Sequence, residues 1–310
     1  MSEEVKMSKG KAALKSMRLR TLPLSLAGVI LGIFLAVADY IVDWKVALFI
    51  ILTTISLQIL SNLSNELGDV LHGTDTDDRL GPEYGLNSGV LTIGEMKKMI
   101  ACAIVACIVF GLLMIYFSFG SLFSIESICL ELLGAAAIIA AMRYTLGRNP
   151  YGYRGLGDVF VFLFFGLVSV MGAYFVAARE ISSWTLVLPA SAIGFFSMGV
   201  LNVNNIRDMK TDAENRVTVA IKLGAKRARI YQTVLIILGW ACMIAYCLLK
   251  FQDPWHYLFV LTLPLFIKHL KGIWSLEGKA LDKMLPLLVI SSFLFALLAG
   301  IGFTIFLLKI

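Results

Sequence analysis

The sequence predicts an all-α integral membrane protein with about nine transmembrane helices, and three observations carry that prediction. Of the 310 residues, 59% are hydrophobic and 15% charged, where a soluble protein is about 45–50% apolar and about 25% charged. Too little polar surface exists to cover a soluble particle of this size, which excludes a soluble enzyme and a disordered chain. The apolar residues fall in runs of roughly the 20 residues that cross a bilayer. The basic residues collect on alternate loops. No long polar segment could form a second domain, so residues 1–310 read as a single transmembrane domain with a polar segment at 1–20.

The first run, 22–40, follows Lys6, Lys9, Lys11, Lys15, Arg18 and Arg20. It has no small-residue cleavage site and reads as an uncleaved signal anchor. The second, 46–63, passes directly into a polar segment. Runs 99–119 and 127–144 hold Cys102, Cys107 and Cys129, and run 230–249 holds Cys242 and Cys247. No C-x-x-C pair or histidine at ligand spacing accompanies them, so they read as small apolar residues in helices. The fifth run, 157–178, is rich in phenylalanine, and the sixth, 184–203, again ends in a polar segment. The eighth, 255–270, is the weakest because Pro264 interrupts it; the ninth covers 285–308.

Nine crossings place the N-terminus and the loops after the second, fourth, sixth and eighth runs on one side. Only Lys45, Arg179, Lys250 and Lys309 of the 27 basic residues fall on the other. By the positive-inside rule the N-terminus and those four loops are cytoplasmic. The net charge of +6 is therefore topological and argues for no nucleic-acid partner. On that face two loops, 64–98 and 204–229, are long and polar, and long loops in compact proteins are usually functional.

These loops hold the chemistry. Asn62, Asn65, Glu66 and Asp69 stand at helical spacing, as do Asn205, Asp208 and Asp212, so that each set shares one face if its helix continues. Carboxylates clustered at a membrane boundary repel one another and resist desolvation, and so call for a cation. Asp, Glu and Asn oxygens suit Mg²⁺, which takes one or two carboxylates and leaves its other positions to water and phosphates. With a nearby arginine they make a diphosphate site. The two faces converge only if their helices are neighbours. Asp77 and Asp78 read as ordinary solvated residues, as does His72, while His256 and His269 read as structural. The segment 144–158, with Tyr144, Arg148, Tyr151, Tyr153 and Arg154, is either a turn with interfacial aromatics or a substrate-facing loop.

The two acidic motifs, with Arg20-Thr-Leu-Pro23, the run 150–157 and the run 201–208, resemble the UbiA superfamily of intramembrane prenyltransferases along almost the whole chain. The resemblance is strongest to the branch that prenylates 1,4-dihydroxy-2-naphthoate. It implies a nine-helix bundle around a central cavity in the cell (inner or plasma) membrane. It also implies Mg²⁺-dependent transfer from a polyprenyl diphosphate, with loss of CO₂, giving demethylmenaquinone. Asn65, Asp69, Asp208 and Asp212 would then hold Mg²⁺ and diphosphate, joined by Glu66 and Asp75, with Tyr144 and Arg148 beside the diphosphate. Asn62, Asn204, Asn205, Arg207, Arg20, Tyr153 and Arg154 lie in the matching segments and are expected to line substrate. Glu66 stands where the family usually has Asp, Leu19 where it has Pro, and the third acidic position falls at Asp75 rather than at Gly73. A 4-hydroxybenzoate acceptor is the alternative within the superfamily. A secondary transporter is the alternative outside it, but its sites would lie at midplane on broken helices, whereas here the acidic sets sit at span ends.

Overall fold

The computed structural model describes residues 7–73, 84–213, 216–305 and 307. Among these, nine helices are long and apolar enough to cross a membrane: α1 (Lys9–Asp39), α2 (Trp44–Leu71), α3 (Ile93–Phe119), α4 (Ile125–Arg143), α5 (Gly157–Ala178), α6 (Trp184–Arg207), α7 (Ala225–Leu249), α8 (Pro254–Ser275) and α9 (Gly278–Thr304). The number and order agree with the apolar runs, and no strand forms among the described residues. The protein is a multi-pass membrane protein.

Two groups of helices meet at α1. On one side α2, α3 and α4 pack together; on the other α5, α6, α7, α8 and α9 do, and α1 touches α2, α5 and α9. The larger group is cemented by an aromatic core of Phe196, Trp240, Phe259, Phe266 and Phe295. α4 buries only Ser127. Its exposed Leu132 and Ile139, like Leu248 and Leu261 elsewhere, are the apolar surface a bilayer covers without cost. Helix contacts lean on small residues, as is usual in membranes. A Cβ on Gly166 of α5 would lie 2.7 Å from the Gly194 Cα of α6.

Two helices differ from the runs. α5 is π-helical over Phe162–Gly172. α8 begins as a 3₁₀ helix, Pro254–Thr262, and becomes α-helical at Leu263, with Pro264 in the first turn. There its missing N–H is one that no helix satisfies internally. Pro264 thus marks a junction inside the span.

The helices that carry the motifs outlast their apolar runs. α2 continues through Asn62–Asp69 to Leu71. α6 stops at Arg207; Asp208 leaves helical geometry (φ −94°, ψ 8°), and a separate turn, Met209–Asp212, follows. The single helical face expected for Asn205, Asp208 and Asp212 is broken at its middle member. Nor do α2 and α6 pack along each other.

Candidate active site

Three of the four polar residues on the α2 face leave in different directions. Asn62 donates from Nδ2 to Met17 O (2.9 Å) and Thr21 Oγ1 (3.1 Å), and Gln58 Nε2 donates to its Oδ1 (3.1 Å). It staples the break in α1 at 17–21. Glu66 is fully buried and accepts the Leu86 N–H at Oε1 (2.6 Å). Its Oε2 has no hydrogen-bond partner among the described residues. The side chain organises the 84–91 turn, whose Gly85 N–H donates to Ser16 Oγ of α1 (3.1 Å). Glu66 therefore bonds the 84–91 turn rather than Tyr153, the partner of Asp69. Asn65 faces α4's end, where Thr145 Oγ1 lies 3.3 Å from Oδ1 and donates more closely to Ser64 O (2.9 Å). Asp75 lies outside the described residues.

Asp69 enters the site. Its Oδ1 accepts from the Tyr153 hydroxyl (2.8 Å) and lies 3.5 Å from Arg216 Nη2. Arg216 Nε lies 3.2 Å from Asp212 Oδ1, and the guanidinium sits 5.0 Å over the Tyr153 ring. One guanidinium therefore joins the two acidic motifs. The backbone explains how: Arg216 N–H donates to Asp212 O (2.9 Å), and Val217 N–H donates to Tyr153 O (2.9 Å). The loop after α6 is thus pinned to the loop after α4, and convergence comes through loops rather than helix packing. Burial works against the charge of Arg216, but Asp69 and Asp212 outweigh it and hold the guanidinium above its ordinary value.

Asp208 is engaged elsewhere. Arg207 grips it twice, Nε to Oδ1 (2.8 Å) and Nη2 to Oδ2 (2.6 Å), and also donates to Asn204 Oδ1 (2.8 Å) and Asp282 Oδ1 (2.6 Å). This cluster locks the end of α6 to the 3₁₀ start of α9. Four of the five Arg207 N–H donors are spent on these acceptors, Asn204 and Asp208 among them. Asn205 remains with the site. It lines a cavity of about 20 Å³ with Tyr144, Asp158, Leu201, Arg216 and Thr218. That is room for about one water, not for a substrate.

Tyr144 packs against the backbone of Gly152 and Gly157, and desolvation pushes its hydroxyl up to about 12. Arg148, Arg154 and Arg20 are exposed. Arg20 reaches Tyr84 OH (3.2 Å), and the Arg154 backbone bridges to Val217. His72 caps α2, with Nδ1 2.9 Å from Gly68 O and Nε2 3.1 Å from Gly147 O; it fastens the helix end to the loop after α4. Asn202 and His269 join a chain inside the bundle. Asn202 Nδ2 donates to Gln232 Oε1 (2.9 Å), and Gln232 Nε2 lies 3.1 Å from His269 Nε2.

Sequence reasoning missed Arg216, counting it only as a topological charge. A signal was present: it follows Asp212 by one helical turn, a spacing at which opposite charges meet. Asp158, buried and bonded to Tyr231 OH (2.8 Å), was missed too.

Among the described residues no three His, Cys, Asp or Glu side chains gather as a metal site. Mg²⁺ does not require such a cage, because phosphate and water complete its shell. The donors at hand are hard oxygens, Asp69, Asp212 and Asn65, and a cation already stands between the two carboxylates. That set fits Mg²⁺ with a diphosphate.

The UbiA prenyltransferase family matches residues 25–293. The chain belongs to that family. It is 38% identical over 301 residues to an Escherichia coli protein named 1,4-dihydroxy-2-naphthoate octaprenyltransferase, covering 96% of this chain and 97% of that one. A Haemophilus influenzae protein of the same name is 36% identical, covering 93% and 94%. Among solved structures, the apo UbiA homologue from Aeropyrum pernix superposes with a TM-score of 0.68 at 16% identity, over 93% of this chain and 97% of that one. That likeness concerns the fold, and it agrees with a UbiA-type helical bundle.

Proposed function

We propose that this UbiA-family chain transfers a polyprenyl group from its diphosphate to 1,4-dihydroxy-2-naphthoate, with loss of CO₂, in menaquinone biosynthesis. The observation that carries the reading is the Asp69–Arg216–Asp212 bridge, which brings both acidic motifs to one point beside Tyr153 and Tyr144. The names of the full-length relatives support the acceptor. The site opens on the face that carries the basic loops, which we assign to the cytoplasm, with the protein in the inner or plasma membrane.

Mg²⁺, when bound, supplies charge neutralisation for the leaving diphosphate. Asp69 and Asp212 would hold it, with Asn65 as a neutral oxygen donor. Arg216 and Tyr153 place positive charge and a hydroxyl at the same spot, where electrostatic stabilisation counts most. The allylic C–O bond breaks with its electron pair on the diphosphate. The ring carbon bearing the carboxylate attacks the allylic cation, and the bond to the carboxyl carbon then breaks, returning its electrons to the ring as CO₂ leaves. The immediate product is the hydroquinone, and its oxidation to the quinone is a separate two-electron step. Tyr144, neutral at cellular pH, borders this site as a hydrogen-bond donor and not as an anion that would quench the cation.

Purified protein in detergent with Mg²⁺ and a polyprenyl diphosphate is offered carboxyl-labelled 1,4-dihydroxy-2-naphthoate and 4-hydroxybenzoate in parallel. One labelled CO₂ per diphosphate, with the naphthoate alone, is the expected result. Label retained in the prenylated product, or turnover confined to 4-hydroxybenzoate, would overturn the acceptor assignment.

A further inference from the structure

Two arginines flank the second acidic motif, one just before Asp208 and one after Asp212, and they are held in opposite ways. The Arg207 side chain is 2% exposed and makes four directed hydrogen bonds of 2.6–2.8 Å. Arg216 is 18% exposed and sits 3.2 and 3.5 Å from its carboxylates. Its Nε makes no hydrogen bond among the described residues. Charge and a ring face hold it, and directed bonds do not. It also lines the cavity beside Tyr144 and Asn205.

We infer that Arg216 is an exchangeable counter-ion: it stands between Asp69 and Asp212 before metal and diphosphate bind and moves to the diphosphate when they do. The inference rests on the proposed diphosphate site. A guanidinium between two carboxylates opposes a divalent cation at the same place, so metal alone binds weakly. Once a diphosphate is present Arg216 has a better acceptor, since its fork matches phosphate oxygens bidentately. It then yields the carboxylates and leaves the cavity wall. Metal and diphosphate are therefore coupled through one side chain, and couplings of this kind typically amount to about 5- to 150-fold in affinity. A water-quenchable cation would then form only after both leaving-group ligands are in place.

The consequence has opposite signs for two ligands, which neither a structural role nor a simple diphosphate contact produces. Full-length protein in detergent is titrated with Mn²⁺ alone, followed by its electron paramagnetic resonance signal, and with inorganic pyrophosphate in the presence of Mg²⁺. Arg216→Gln should bind Mn²⁺ alone about tenfold more tightly and pyrophosphate about tenfold more weakly than the unaltered protein. Arg216→Lys keeps one charge but lacks the planar fork that reaches both carboxylates, and it should shift both constants the same way by less. It serves where the Gln variant does not insert. Mn²⁺ affinity that is unchanged, or weakened together with pyrophosphate, in these variants would overturn the inference and leave the prenyltransferase reading intact. Absence of both Mn²⁺ and pyrophosphate binding in the unaltered protein would overturn both.

Discussion

Gly68 lies one residue before Asp69 on α2, where the helix meets the loop after α4. A Cβ there would come within 2.5 Å of Thr145 Cβ and Oγ1 and 2.8 Å of its backbone carbonyl carbon. Ordinary contact begins at 3.4 Å, so Gly68→Ala forces a separation of about 1 Å, and the obstructing atoms include backbone. Gly→Ala in a helix gains about 0.5–1 kcal/mol, whereas overpacking costs about 1–3 kcal/mol. The net runs from about zero to a loss of about 2.5 kcal/mol. The wedge also moves Asp69 away from Tyr153 and Arg216, and misplacement by about 1 Å at a reacting centre can cost about 100-fold in turnover. Gly111 of α3 is the control, since its nearest neighbour would be Thr53 Cγ2 at 4.0 Å. Gly111→Ala should be neutral or slightly stabilising and fully active. Thermal unfolding in detergent and prenyl transfer are measured for both. A Gly68→Ala protein as stable and active as the Gly111→Ala protein would refute the close approach and the positioning of Asp69 built on it.

Asp69→Asn and Asp212→Asn should each reduce turnover by orders of magnitude while the protein still inserts, checked by transfer assay and gel filtration. Arg207→Ala strands Asp208 and Asp282 and should cost about 3–5 kcal/mol, seen as early unfolding, whereas Arg148→Ala on the exposed loop should leave the unfolding temperature unchanged. Tyr144 is raised from 10 to about 12. Its contribution is present below pH 10, where both states are protonated, and is lost as pH climbs from 10 through 12. Tyr144→Phe should therefore soften the alkaline fall in stability, read from unfolding against pH.

The span count was legible because hydropathy and basic asymmetry are properties of composition, and lipid imposes them on every crossing. The first acidic face was legible because α2 continues unbroken through it. What periodicity could not show was the destination of each side chain. Asn62 and Glu66 share a face with Asp69 yet bind α1 and the 84–91 turn, since a face about 100° wide meets three different neighbours. The break at Asp208 was hidden for a related reason. Arg207 and Asp208 pair as sequence neighbours where the helix ends. Helical spacing assigns no such pair.

The arrangement of the two arginines gives the motif its division of labour. Asp208 is neutralised by Arg207, with Asp282 and Asn204 as further acceptors of the guanidinium, so this half of the motif fixes where α6 ends. Asp69 and Asp212 share a looser cation, and that half is where positive charge can be exchanged. A site that must accept a highly charged diphosphate and then shelter a carbocation needs both properties. Rigid acidic groups alone would repel the diphosphate. A permanently clamped arginine would exclude the metal. Placing the exchangeable cation on the loop pinned by Val217 to Tyr153, rather than on a packed helix, lets it move without disturbing the bundle that holds the carboxylates.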